Sequence, residues 1–195
     1  MQFRSRKSRL FLGFSVLLTP LLAQANPGIY GSGFSHGLLH PLTGLDHICA
    51  MLGVGLWAAQ RGGKAVWMVP AAFVVTMFLG GLLAKFGVLL PQVEAGIMVS
   101  VLSLGLLIAA AVRLPVWLSA VIAGAFAIFH GHAHAIETPL NASALIYDLG
   151  FLLSTASLHL IGIGFGLAVA QFGKISLIRF AGGAIACCGV ALLAS

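Results

Sequence analysis

Three histidines and an aspartate crowd into one short run, Ser35-His36-Gly37-Leu38-Leu39-His40-Pro41-Leu42-Thr43-Gly44-Leu45-Asp46-His47. A second run follows later in the chain, Phe129-His130-Gly131-His132-Ala133-His134-Ala135-Ile136-Glu137. Imidazole and carboxylate together are ligands for borderline divalent metals. The rest of the chain offers these groups little company, being 60% hydrophobic and only 7% charged. Ionisable side chains in an apolar membrane setting are costly and mark ion or proton pathways. Both runs therefore point to a membrane protein that handles a metal cation.

Spacing sharpens the reading. At about 100° per residue, His36, His40 and His47 fall within ~40° of one another on a helix, so three imidazoles could serve one ion or successive ion positions. Pro41 suits a helix that starts near it, which would leave His36 in the preceding loop. Asp46 and His47 are neighbours and point about 100° apart, so an ideal helix cannot aim both at one ion. Either Gly44 marks local unwinding, or Asp46 is a carboxylate that accepts the far ring N–H of a neighbouring histidine. In the second run His130, His134 and Glu137 follow i, i+4, i+7 and share a face, whereas His132 points elsewhere. Further along, Asp148 and His159 lie within ~20° on one helix face. Either can be a ligand, and His159 can equally be a hydrogen-bonded structural residue. Glu94 reads as a solvated loop acid or a carboxylate at the mouth of a pathway, and Met51 as core.

The elements that must position these groups are membrane spans. Mean hydropathy is +1.09 over 195 residues, which excludes an ordinary soluble domain. Residues 1–25 read as a cleavable signal peptide: a basic start (Arg4, Arg6, Lys7, Arg9), an apolar core from Leu10 to Leu22, and the small-residue site Ala23-Gln24-Ala25. Four of the ten basic residues lie in that segment, leaving six against four acids. No basic stripe interleaved with aromatics suggests nucleic-acid binding. Cys49, Cys187 and Cys188 read as small apolar fillers.

The remaining residues, 26–195, form one expected domain: an all-α integral membrane protein with six transmembrane helices. The spans fall near 35–59, 65–84, 95–112, 115–134, 144–170 and 175–194, each ~20 residues or more. The breaks between them are short and carry Gly, Pro, Lys or Arg. There is no room for an ATP-hydrolysing domain, no GxxxxGK[ST] loop and no HExxH, so transport without ATP is expected and enzyme activity is not. Signal cleavage would leave both termini periplasmic. The inner loops then hold Arg61, Lys64, Arg113, Lys174 and Arg179, the outer ones only Lys85, as the positive-inside rule demands of a bacterial inner membrane. All four acids, Asp46, Glu94, Glu137 and Asp148, fall in the outer half. Gly162, Gly166, Gly80, Gly81, Gly182 and Gly183 suit close helix packing.

The run His40-Pro41-Leu42-Thr43-Gly44-Leu45-Asp46-His47 fits an HPxxGxDH signature and resembles the HupE/UreJ family, the nickel/cobalt permeases associated with hydrogenase and urease. The second run is similar to that family's FHGxAHGxE motif, with Ala135 where glycine is usual. The likeness covers the whole mature chain. It implies that His40, Asp46, His47, His130, His134 and Glu137 handle the metal; His36, His132, Asp148, His159 and Glu94 are further candidates by their own placement along the chain. It also implies secondary uptake of Ni²⁺ or Co²⁺ across the lipid bilayer, with no resident cofactor, to supply nickel-enzyme maturation proteins. Two rivals stand beside it: a permease or channel for another cation such as Zn²⁺ or Cu⁺, and a membrane haem-binding electron carrier with two axial histidines.

Overall fold

Pro41 and Gly44 interrupt what would otherwise be one long apolar helix, and the interruption shapes everything near the histidines. The structure, a computed structural model, describes residues 32–138 and 143–195. The expected signal segment at 1–25 lies outside the described residues. The described residues form seven helices in order: α1 (Ser32–Thr43), α2 (Leu45–Arg61), α3 (Ala65–Lys85), α4 (Val93–Ala109), α5 (Val116–Glu137), α6 (Ala144–Gln171) and α7 (Ile175–Ala194). Among the described residues there is no strand, and residues 33–195 form a single unit.

The helices α3, α5, α6 and α7 are long and apolar enough to cross a membrane. The expected first span, 35–59, is corrected: it is two helices, α1 and α2, bent by 81° at Gly44. Proline has no N–H to give the helix, and Gly44 is extended at φ −92°, ψ 123°, so the ladder stops there and restarts with Ile48 N–H donating to Gly44 O. Thr43 Oγ1 turns back to donate to His40 O at 2.8 Å, covering a carbonyl at the end of α1. Contrary to a helix starting near Pro41, that residue lies inside α1, and His36 is helical rather than in a loop. The third expected span, 95–112, is α4, which at 17 residues rises only about 26 Å. Among the described residues four helices thus meet the length of a span, making five spans if the bent pair is one.

Glycine contacts give the register. Gly124 on α5 packs on Thr76 of α3, Gly80 on α3 rests on Ile128, and Gly131 sits against Gly81, so α3 and α5 run parallel. Gly162 and Gly166 on α6 pack on Gly55 and Ala59 of α2, again in parallel, whereas Gly105 against Ala186 and Gly182 against Ala109 set α4 and α7 antiparallel. Such approaches leave no space for a Cβ, which is how small residues drive helix association in lipid. Large apolar side chains of α6, including Leu149, Leu153, Leu160, Ile161 and Phe165, are exposed, as a lipid-facing surface requires. The core nonetheless holds polar groups: His47, His130, His132, His134 and His159 are all buried.

The two ends of the bundle differ in kind. At one end Lys85 pairs with Asp148 and His132 reaches the α3–α4 loop. At the other, Arg61 donates to Leu114 O and Arg179 Nε to Ala109 O at 2.8 Å. The histidines of both sequence runs gather toward the first end.

Candidate metal centre

The bend at Gly44 replaces the helical face drawn through the first run. His40 lies in the last turn of α1 and His47 in the first turn of α2, with their ring centroids 6.0 Å apart across the break. From α5, His134 approaches to 4.7 Å from His40 and 4.5 Å from His47, while His130, one turn earlier, stands 5.1 Å from His47. Four imidazoles from three helices therefore form one cluster. His130 is 0% exposed, His134 3% and His47 7%. Tyr147 and Phe151 of α6 wall the cluster on one side, and Phe73 of α3 stands between His130 and His159, 5.6 and 5.1 Å from their ring centroids.

Hydrogen bonds assign the tautomers. Asp46 Oδ1 lies 2.9 Å from His47 Nδ1, so the Nδ1–H donates to the carboxylate and Nε2 carries the lone pair. This resolves the difficulty of the adjacent pair: the helix does break at Gly44, and Asp46 holds its own neighbour's ring. A Cβ on Gly44 would fall 2.6 Å from Asp46 Oδ1 and 2.8 Å from His47 Nδ1, so only glycine leaves room for that pair. Ser100 Oγ donates to Ile97 O at 2.6 Å, which uses its only proton. The 2.9 Å contact between Ser100 Oγ and His130 Nε2 must then be the ring N–H donating to the hydroxyl, leaving the lone pair on His130 Nδ1. Both lone-pair nitrogens, His47 Nε2 and His130 Nδ1, are buried and have no hydrogen-bond partner among the described residues. A histidine whose far nitrogen is fixed by a carboxylate or hydroxyl is the usual form of a metal-ligating imidazole.

The rings meet edge to face, and among the described residues no three His, Cys, Asp or Glu side chains converge on a point that would hold a metal ion. Binding an ion here requires the rings to turn toward it.

The remaining expected residues separate. His36 is exposed, which corrects the three-histidine face. His132 does point elsewhere: its buried Nε2–H donates to Val88 O at 2.8 Å and ties α5 to the α3–α4 loop. Glu94 is exposed in the first turn of α4. Glu137 closes α5, and its side chain lies outside the described residues. Asp148 is paired with Lys85 rather than turned to His159. His159 is buried against Phe73, with neither ring nitrogen partnered among the described residues. Met51 is fully buried core, and all three cysteines are free thiols.

Ser100, Phe73 and Phe151 carry no signal in the sequence, since a lone serine or phenylalanine on an apolar helix has no telling spacing, and Lys85 reads there only as an outer-loop charge.

Comparison with known proteins agrees with the motifs. The profile of the HupE / UreJ protein family matches residues 14–192. Protein HupE of Rhizobium leguminosarum bv. viciae is 47% identical over 188 residues, covering 95% of this chain and 97% of that protein. No solved structure matches the chain. With both motifs in place and the match spanning nearly its full length, this membrane protein belongs to the HupE/UreJ family.

Proposed function

We propose that the chain is a secondary permease that moves Ni²⁺ or Co²⁺ inward across a bacterial inner membrane and supplies hydrogenase or urease maturation. The observation that carries this reading is the buried group of four imidazoles in which His47 and His130 each present a bare nitrogen because Asp46 and Ser100 occupy the other. Neutral imidazoles suit a borderline dication and can replace part of its hydration. A cluster whose rings must turn to meet the ion binds weakly enough to release it, which conduction needs. The haem reading finds less support, since the crevice beside His134 has a volume of only about 20 Å³.

The orientation we propose places the imidazole end outside, because the five basic residues Arg61, Lys64, Arg113, Lys174 and Arg179 lie in or beside loops at the other end. A reporter joined after Ser195 should then read periplasmic; a cytoplasmic signal overturns this topology.

Radioactive nickel accumulation in a host lacking its own nickel transporter tests the function. The wild type should restore saturable uptake, and His40→Ala/His47→Ala should abolish it while the protein remains inserted. Normal uptake by the double variant would sink the assignment of the cluster as the metal path. Competition by Co²⁺, Zn²⁺ and Cu⁺ ranks the cations, and stronger capture of zinc or copper than of nickel would favour the rival permease.

A further inference from the structure

One ionic contact at the imidazole end has no part in the cluster. Lys85 closes α3, and Asp148 lies near the start of α6; the two form an ion pair with side chains 29% and 20% exposed. Behind the pair runs a crevice of about 20 Å³, with Met77, Gly81, Gly131 and Phe151 among its walls, and with Asp148 and His134 as its two ionisable linings. Asp148 is partly exposed and His134 is 3% exposed, so the carboxylate stands at the mouth and the imidazole at the base. Lys85 is also the one basic residue at this end among the described residues, the others lying at the opposite end.

We propose that Lys85 is a tethered cation that occupies the Asp148 carboxylate until a divalent metal ion displaces it, so that the pair gates the crevice leading to His134. The proposal rests on the transport reading and adds to it a means of selection. An ammonium held on the chain competes for the carboxylate at a high effective concentration. A free monovalent ion carries no more charge than that ammonium and gains nothing by replacing it. A dication interacts twice as strongly with the same carboxylate and then meets an imidazole below. The crevice has room for about one water molecule, far less than a hydrated dication, so the ion must shed most of its shell on the way in. Were the pair only a tie between α3 and α6, its partial exposure would make it worth little.

The test is nickel uptake kinetics in cells carrying wild type, Lys85→Gln, Asp148→Asn and the double variant, each quantified in the membrane. Lys85→Gln should lower KM about threefold, the size expected for release of a partly exposed ion pair, and should render uptake sensitive to K⁺ concentrations that leave the wild type unaffected. Lys85→Met, which keeps the apolar stem, should behave the same way. Asp148→Asn should raise KM, and Lys85→Gln should have no further effect in that background. An unchanged or raised KM in Lys85→Gln overturns the gate, as does an equal effect of Lys85→Gln with and without Asp148. Loss of thermal stability in both single variants with KM unmoved would show a structural tie and overturn it as well. No saturable uptake by the wild type would overturn the transport reading, and the gate with it, whereas wild-type uptake with an unmoved KM in Lys85→Gln sinks the gate alone.

Discussion

The two ends of the helix bundle use polar side chains in opposite ways. At the basic end they complete the backbone. Gln60 Nε2 donates to Ile108 O at 3.0 Å, Arg179 Nε to Ala109 O at 2.8 Å, and Arg61 to Leu114 O, so the last carbonyls of α4 and the loop after it gain side-chain donors. Trp67 and Trp117 stand exposed at that same end, where indole rings favour the lipid headgroup region. At the imidazole end some side chains also reach carbonyls, as His132 does at Val88 O, but two ring nitrogens have side-chain partners that leave the other nitrogen bare, Asp46 for His47 and Ser100 for His130. Buried polar atoms without a partner are costly and occur at both ends, Gln60 Oε1 and Arg61 Nε among them, but at the imidazole end they are ring nitrogens with a free lone pair. The first arrangement ties helix ends and loops together; the second leaves ring nitrogens bare.

Breaking the pair that holds His47 should have the largest effect. Asp46→Asn removes the carboxylate that sets its tautomer, and nickel uptake should fall about 10–100-fold with insertion unchanged. Gly44→Ala attacks the same pair by crowding and should fall within that range. Wild-type uptake in either variant would show that the tautomer of His47 is irrelevant to transport. Ser100→Ala should act at the low end, about tenfold, because His130 loses its acceptor but can re-orient; Ser100→Thr, which keeps the hydroxyl, should recover most of the loss. Failure of that rescue would mean that Ser100 matters for packing only.

The smallest effect on transport should come from the opposite end. Arg61→Ala removes a charged donor to Leu114 O and should cost about 1.5–3 kcal/mol of stability, seen as a lower unfolding temperature in detergent. Its KM for nickel should stay at the wild-type value. A shifted KM would break the contrast between the two ends and show that the basic end shapes the metal site.

Much of the scaffold was legible along the chain. The expected spans 65–84, 144–170 and 175–194 match α3, α6 and α7 to within a residue or so, because long apolar runs punctuated by Gly, Lys and Arg have few other ways to fold. The histidine runs were visible for the same reason, as polar groups that an apolar chain does not tolerate idly. The face through His36, His40 and His47 was misdrawn because projection at a fixed angle per residue assumes an unbroken helix. Pro41 and Gly44 were in plain view, but their 81° consequence depends on what α2 packs against.

The sequence by itself determined that this is a helical membrane chain of the HupE/UreJ type with two imidazole-rich motifs, since hydropathy and motif spacing are local properties. Only the tertiary structure decided that His40 and His47 meet His130 and His134, that Ser100 fixes one ring and Asp46 another, and that Lys85 occupies Asp148. Apart from Asp46 and His47, which are neighbours brought into contact by the break at Gly44, those pairings join residues far apart in the chain and depend on how the helices pack, which no local pattern encodes.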